Sequence, residues 1–269
     1  METRAEHLVP GTGQLWSYPL RAYEYWLRSY RRTWRGSVIS SLVNPVLYLT
    51  ALGVGLGSVM KRNGNALGVP YVDYVAPGML GATCMQIASF ESAYPIMAAI
   101  RWTRQFHAML ATPLRIRDVI VGHQLYVASR VAFVSAVYLG IIAAFGAVRS
   151  PMAIAAWPVA IILGLAFSAP VSAMAAWLQK DEGFNALFRF GVTPMFLFSG
   201  TFFPVTQLPH GFREIAYATP LWHAVDLMRH LTLGTATLWP ALGHVAYLLA
   251  WFAAGMLLAR RTYTNRLVT

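Results

Sequence analysis

MFLFSGTFFPVTQLPHGFREIAYATPLWHAVDLMRHLTLG, residues 195–234, is apolar and aromatic enough for a membrane interior yet broken too often to cross one. Pro204, Pro209 and Pro220 interrupt it, and Arg213, Glu214, Asp226 and Arg229 put charge in it. A spanning helix needs about 20 consecutive apolar residues, and proline removes a helical donor. The stretch therefore reads as short helices that dip into the membrane and return. Irregular backbone is tolerated at membrane depth only where protein or a water-lined path satisfies its polar groups, so the segment points to translocation.

Composition agrees with a membrane setting. Of 269 residues, 57% are hydrophobic and 12% are charged, and the mean hydropathy is +0.50. Such a balance excludes an ordinary soluble globular protein. The net charge of +11 does not signal nucleic acid, because the basic residues gather between apolar runs, where they set orientation and meet anionic lipid headgroups. The single cysteine, Cys84, excludes an intramolecular disulfide and reads as a small packing residue.

The first 37 residues carry six arginines and do not resemble a cleavable signal peptide, so they are expected to stay in the cytosol. Tyr23, Trp26, Leu27, Tyr30 and Trp34 recur at helical spacing, with Arg21, Glu24, Arg28, Arg31, Arg32 and Arg35 mostly on the other side. This pattern predicts an amphipathic interfacial helix. Six spanning helices follow, at about 38–60, 74–100, 124–148, 153–178, 185–203 and 240–259. With that topology, 16 of the 21 lysines and arginines fall on one side, which places both termini in the cytoplasm. The organisation read from this is a cytoplasmic N-terminus with its interfacial helix over 1–37, a six-span domain over 38–260 and a cytoplasmic tail over 261–269. Gly53 and Gly57 in the first span have the small-xxx-small spacing of close helix packing, or loosen the helix end before the following loop.

Between the second and third spans, residues 101–122 are too charged to cross. They read as a helix with Phe106, Met109 and Leu110 on one face, a turn at Thr112-Pro113, and a second short helix. The apolar content of Met109, Leu110, Leu114 and Ile116 favours a partner surface over a solvated loop. Two charges stand inside spans. Counting at 1.5 Å per residue, Glu91 lies about 15 Å and Arg130 about 12 Å from the charged loop, so they are expected to pair or to face a water-lined substrate path.

Enzyme signatures are absent. No G-x-x-x-x-G-K-[ST] loop, and no Gly-Lys dipeptide, occurs to cradle a nucleotide, and there is no H-E-x-x-H. The histidines scatter: His107 and His123 near the cytoplasmic face, His210, His223 and His230 in the broken segment. No metal site is expected from them. His223 is expected to donate to a helix-end carbonyl or to a carboxylate.

The broken segment and the charged loop together resemble the ABC-2 family of ATP-binding-cassette transporter permeases. The similarity lies in Pro220-Leu221-x-His223 followed by Arg229, preceded by Ser199-Gly200, Phe203-Pro204 and Leu208-Pro209. It continues in Ala111-Thr112-Pro113-Leu114 and in Asn44-Pro45-Val46-Leu47-Tyr48, while Ala88-Ser89-Phe90-Glu91 looks most like the nodulation-factor exporter branch. The resemblance covers nearly the whole chain.

It implies an all-α integral membrane protein of six spans with an interfacial helix, a cytoplasmic coupling helix and outer re-entrant helices before the last span. The chain would export a lipo-oligosaccharide, polysaccharide or drug-like substrate from a bacterial inner membrane by alternating access. Its partners would be two copies of a separate ATPase subunit, a second permease copy or sibling, and membrane lipids, with no nucleic acid. ATP and Mg would sit on the ATPase, and this chain would bind no cofactor. Arg104, Met109, Leu110, Thr112, Pro113, Leu114, Arg115, Arg117 and Asp118 would form the coupling segment. Phe203, Pro204, Leu208, Pro209, Pro220, His223 and Arg229 would form the outer gate. Two other classes stand beside this reading: a membrane enzyme of lipid-linked substrates using Glu91 or His223, and a proton-driven transporter with Glu91 as carrier.

Overall fold

A computed structural model describes residues 17–32, 34–57 and 68–267, and among these all regular structure is helical. The first helix, α1 (Ser17–Tyr30), is amphipathic as its pattern predicts. Its apolar face turns inward, with Ala22 and Trp26 buried. Helix α2 (Trp34–Tyr48) contains Pro45 and continues as a π-helical stretch, Leu49–Leu56. Gly57 lies beside Tyr71; the surroundings of Gly53 and the expected end of this span at residue 60 lie outside the described residues.

Helix α3 (Tyr71–Ser92) is followed by a break at Ala93, a short α4 (Tyr94–Met97) and a π-helical Ala98–Trp102. The helix expected over 74–100 as a second span is therefore segmented rather than continuous. Pro95 is the physical cause, because it has no N–H to offer the carbonyl four residues earlier.

Helix α5 (Gln105–Leu110) leads through a turn to α6 (Ile116–Ala144). The expected second short helix after Pro113 is instead the opening of this long helix. Asp118 explains the early start: its carboxylate accepts the Arg115 backbone N–H at 2.9 Å, capping an otherwise orphaned donor. A 3-10 turn, Pro151–Ala155, opens α7 (Ala156–Trp177). Then come α8 (Glu182–Ala186), a π-helical Leu187–Val192 and α9 (Thr193–Phe198), run together end to end. Two short helices, α10 (Phe212–Tyr217) and α11 (Pro220–Leu233), precede α12 (Leu238–Leu267).

Helix α7 is the hub, packing against α12, α3, α6 and α11. Its buried face is rich in small residues, among them Ala160, Ala166, Ser168, Ala169, Ser172, Ala173 and Ala176. Between lipid-embedded helices, close backbone approach and interhelical hydrogen bonds replace hydrophobic driving force. Accordingly the Ser92 and Ser168 hydroxyls meet at 2.7 Å, tying α3 to α7.

Among the described residues, Ile116–Ala144, Pro151–Trp177 and Leu238–Leu267 are long and apolar enough to cross a membrane. Only 11% of the apolar window of α12 is buried, and Leu242, Leu249, Trp251, Leu257 and Leu258 are exposed. An apolar helix this open suits a lipid solvent.

Candidate functional site

The two intramembrane charges meet. Arg130 Nη2 of α6 lies 3.2 Å from Glu91 Oε1 of α3, with the arginine side chain 9% and the glutamate 21% exposed. Tyr126, one turn earlier on α6, donates its hydroxyl to the other carboxylate oxygen at 3.0 Å. The guanidinium of Arg130 sits 4.0 Å from the ring centroid of Tyr30, at the end of α1. The two remaining nitrogens of that guanidinium, Nε and Nη1, are buried with no hydrogen-bond partner among the described residues. A cavity of about 540 Å³ opens beside them, bordered by Tyr23, Tyr30, Arg31, Trp34 and Phe133.

Helix α1 can reach this place because of Gly122. A Cβ there would stand 2.5 Å from Ala22 Cβ and 2.8 Å from the Pro19 carbonyl oxygen, so only glycine lets α1 lie on α6. Trp26 then stacks on Tyr126 with centroids 5.7 Å apart and packs edge-on to Phe106 and His123. His123 Nε2 lies 3.1 Å from the Glu91 carbonyl oxygen. A carbonyl only accepts, so the proton of the neutral ring sits on Nε2.

The 104–118 segment, expected to couple to an ATPase, hangs from the same end of the bundle. Tyr25 donates to the Gln105 side-chain carbonyl, and Phe106 is fully buried between Trp26 and Tyr263 of α12. Met109, Leu110 and Ile116 pack, partly buried, against the protein's own core. Leu114 is half-buried, while Thr112, Pro113, Arg115 and Arg117 are exposed. The apolar residues thus face inward, leaving a tip of alanine, threonine and proline flanked by arginines for any partner. Thr112 braces the turn by donating to the Met109 carbonyl at 2.6 Å. Asp118 is buried and lies 3.7 Å from Arg117.

At the opposite end the chain leaves α9 at Ser199-Gly200 and runs through a short 3-10 turn, α10 and α11 before α12. Arg229 holds the reversal: Nη2 donates to the Gly200 carbonyl at 2.6 Å and Nε to the Tyr74 carbonyl at 3.2 Å. Its guanidinium also lies 3.8 Å from the Tyr74 ring centroid, and the Tyr74 hydroxyl donates to the same Gly200 carbonyl at 3.2 Å. Gly78 allows the approach, since a Cβ there would stand 2.8 Å from the Thr201 carbonyl oxygen. Thr219 caps α11 by accepting from the Trp222 N–H at 3.3 Å and meets the Ser199 hydroxyl at 2.9 Å. Val205 and Leu208 form a small separate core with Ala216, against which Phe203, Tyr217 and Trp222 pack. Pro204 and Pro209 flank that turn, and Pro220 opens α11. Arg213 donates to the Thr206 carbonyl at 2.6 Å. The exposed carboxyl of Glu214 is held below the usual glutamate range by its own backbone N–H and that of Gly211.

Two contacts at this end carry no signal in the sequence pattern. Arg149 lies 2.7 Å from Asp73, joining the start of α3 to the loop after α6. His223 turns Nδ1 to Nδ1 of His244 on α12 at 2.9 Å, and it is His244 whose Nε2 faces the Asp226 carboxylate, at 3.4 Å. Of the two partners expected for His223, it meets the helix-end carbonyl, that of Tyr217 at the close of α10, while the Asp226 carboxylate faces His244 and, at 3.7 Å, His230. The two groups of candidate residues stand at opposite ends of α3: Glu91 and Arg130 near the coupling segment, Tyr74 and Arg229 at the reversal.

The family model for ABC-2 type transporters matches residues 23–233. Nodulation protein J of Rhizobium leguminosarum bv. viciae is 35% identical over 217 residues, covering 78% of this chain and 82% of the relative. Nodulation protein J of Rhizobium meliloti (strain 1021) is 31% identical over 214 residues, covering 78% and 80%. The inner membrane transport permease YadH of Escherichia coli (strain K12) is 22% identical over 214 residues, covering 77% and 80%. With the apolar helices and the broken segment, these matches make the chain a member of the ABC-2 type transporter family, an integral membrane transport subunit rather than a catalytic enzyme.

Proposed function

We propose that the chain is the permease half of an ATP-driven exporter that moves a lipo-oligosaccharide of the nodulation-factor kind out across a bacterial inner membrane. The observation that carries this reading is the clamp at Arg229. It fixes a reversal of the chain at one end of the bundle without letting it cross, as an outer gate requires. The relatives named Nodulation protein J support the substrate class.

In this reading six spans place both termini in the cytoplasm, and two permeases face each other above two separate ATPase subunits that bind ATP and Mg. Arg104, Met109, Leu110, Thr112, Pro113, Leu114, Arg115, Arg117 and Asp118 couple to the ATPase through the exposed tip at Thr112-Pro113. Closure of the ATPase moves α5, which shifts Phe106 against Trp26 and Tyr263 and so transmits to α1 and α12. Phe203, Pro204, Leu208, Pro209, Pro220, His223 and Arg229 close the exit. Glu91 is held by Arg130 and Tyr126, so both of its carboxylate oxygens already have a protein partner. That supports a positioning role over that of a proton carrier.

The test is transport in proteoliposomes holding the chain with its co-purified ATPase. ATP-dependent accumulation of a labelled lipo-oligosaccharide, abolished by a hydrolysis-deficient ATPase, is the expected result. Transport that persists without ATP and collapses with the proton gradient overturns the reading.

A further inference from the structure

At the end of the bundle that carries α1 and α5, three arginines converge on a recess with no acid to meet them. Ile100, Arg101, Arg104, His107 and Arg266 line a cavity of about 550 Å³ between the base of the second span and the end of α12. None of the three guanidinium groups makes an ion pair or a side-chain hydrogen bond among the described residues. Asp118, an acid of the same connection, is already engaged by the Arg115 N–H and lies against Arg117. Like charges gathered in this way repel one another unless an anion joins them.

The backbone is bent to build this recess. Arg104 has φ of +49°, the single non-glycine residue with positive φ among those described. It stands between the π-helical Ala98–Trp102 and the first turn of α5. Left-handed backbone is unfavourable for a residue with a Cβ and recurs where a functional arrangement demands it.

The depth of the recess identifies the anion. Trp102 and Trp177 are 64% and 70% exposed, and Trp177 shares a neighbouring cavity with Arg266. Exposed tryptophan at the end of a spanning segment belongs to the headgroup layer. Arg266 follows Ala259 by seven residues, about 10 Å along the helix, and a long arginine can reach back toward that layer. Basic pockets between helices at this depth recognise lipid phosphates.

We propose that Arg101, Arg104 and Arg266 form a binding site for the phosphate of an anionic phospholipid. An occupied site joins the base of the second span, the start of α5 and the end of α12 through one anion. It thereby holds α5 at its bend. The site rests on the reading that this end of the bundle lies at a membrane face, and not on ATP-driven transport.

The experiment is native mass spectrometry of the full chain, with whatever subunits co-purify, after delipidation and titration with phosphatidylglycerol or phosphatidylcholine of matched chains. Phosphatidylglycerol should bind about tenfold more tightly. The double variant Arg101→Gln/Arg266→Gln should lose that preference, while Arg101→Lys/Arg266→Lys retains most of it with an unchanged elution profile. Equal binding of the two lipids, or an undiminished preference in the glutamine variant, overturns the proposal. So does complete displacement by equimolar inorganic phosphate, which marks a free-anion site. Loss of a co-purifying ATPase from the glutamine variant with lipid preference intact assigns the recess to protein docking instead. Failure of ATP-driven transport with lipid preference present leaves this site standing and removes the exporter reading alone.

Discussion

His123 of α6 lies 3.1 Å from the backbone carbonyl of Glu91 on α3, a carbonyl left free because Pro95 has no N–H to give it. A proline inside a spanning segment is tolerated when a neighbouring helix satisfies the group it releases. Here the replacement donor also stands at the side of the Glu91–Arg130 pair. The break in the second span and the charge site are therefore one construction: the proline frees the carbonyl, and the histidine that meets it fixes α6 against α3.

The first prediction tests that construction. His123→Ala leaves the Glu91 carbonyl unpaired and should cost about 1–3 kcal/mol. In a Pro95→Ala background an N–H is available to the same carbonyl, so the histidine change should cost distinctly less. Denaturation midpoints in detergent give the cycle. Equal costs in the two backgrounds would show that His123 serves some other contact.

Removing one partner of the Glu91–Arg130 pair should be severe. Arg130→Met strands a half-buried carboxylate, costing about 1–3 kcal/mol, and Glu91→Ala strands a buried guanidinium, costing about 3 kcal/mol. Exchanging the two, Glu91→Arg with Arg130→Glu, should recover part of the loss, less than all because Tyr126 and Tyr30 are arranged for the present order. Thermal unfolding of the four proteins reads the coupling. Strict additivity argues against a direct pair.

Glycine substitutions separate close approach from open space. Gly122→Ala places a methyl within 2.5 Å of Ala22 Cβ, and Gly78→Ala places one within 2.8 Å of the Thr201 carbonyl. Each should cost about 1–3 kcal/mol through overpacking. Gly140→Ala, with nothing within 4 Å of its Cβ, should be neutral or slightly stabilising through helix propensity. A cost at Gly140 equal to that at Gly122 would remove packing as the cause.

Much of this site could be read from residue order alone. The prolines and charges of 195–234 interrupt an apolar run on sight, and Glu91 and Arg130 are rare charges at matching depth, so burial cost alone points to a meeting. Other contacts depend on which helices become neighbours. Asp73 and Arg149 sit at the ends of separate helices, and His244 reads as one polar residue in an apolar span. Nothing local marks either as a partner of α3 or α11. The opening of α6 at Ile116 has a local signal: Asp118 stands three residues after Arg115, a first-turn acid of the kind that caps a helix. Charge in 101–122 argues against crossing but not against a helix, which can begin in charged sequence and continue into the apolar run.

The turn at Gly211 should respond to acid. The folded state lowers the Glu214 carboxyl from its ordinary 4.5 through the backbone N–H groups of Glu214 and Gly211. A depressed carboxylate contributes its stabilisation at and above the ordinary range and loses it as pH falls through the lowered value. Proteolysis between Gly200 and Phe212 should be unchanged from pH 7 to 5 and should rise below pH 4.5. Glu214→Gln should show the higher cleavage at neutral pH already. No difference between the two proteins at pH 6 would exclude this carboxylate as the brace.

Arg229 carries the last prediction. Its planar guanidinium spans two carbonyls, that of Tyr74 in α3 and that of Gly200 in the turn after α9, while its face rests on the Tyr74 ring. Lysine keeps the charge but is a point donor without the fork, so it can meet one carbonyl and leaves the other bare. Arg229→Lys should therefore cost about 1.5–3 kcal/mol, the scale of a lost charge-assisted hydrogen bond. Tyr74→Phe removes only the hydroxyl that shares the Gly200 carbonyl and keeps both the ring and the Tyr74 carbonyl, so it should cost about 1 kcal/mol. Limited proteolysis at 200–212 should follow the same order, the lysine variant being cut fastest. If the phenylalanine variant is the more sensitive of the two, the Tyr74 hydroxyl and not the guanidinium fork holds the reversal closed.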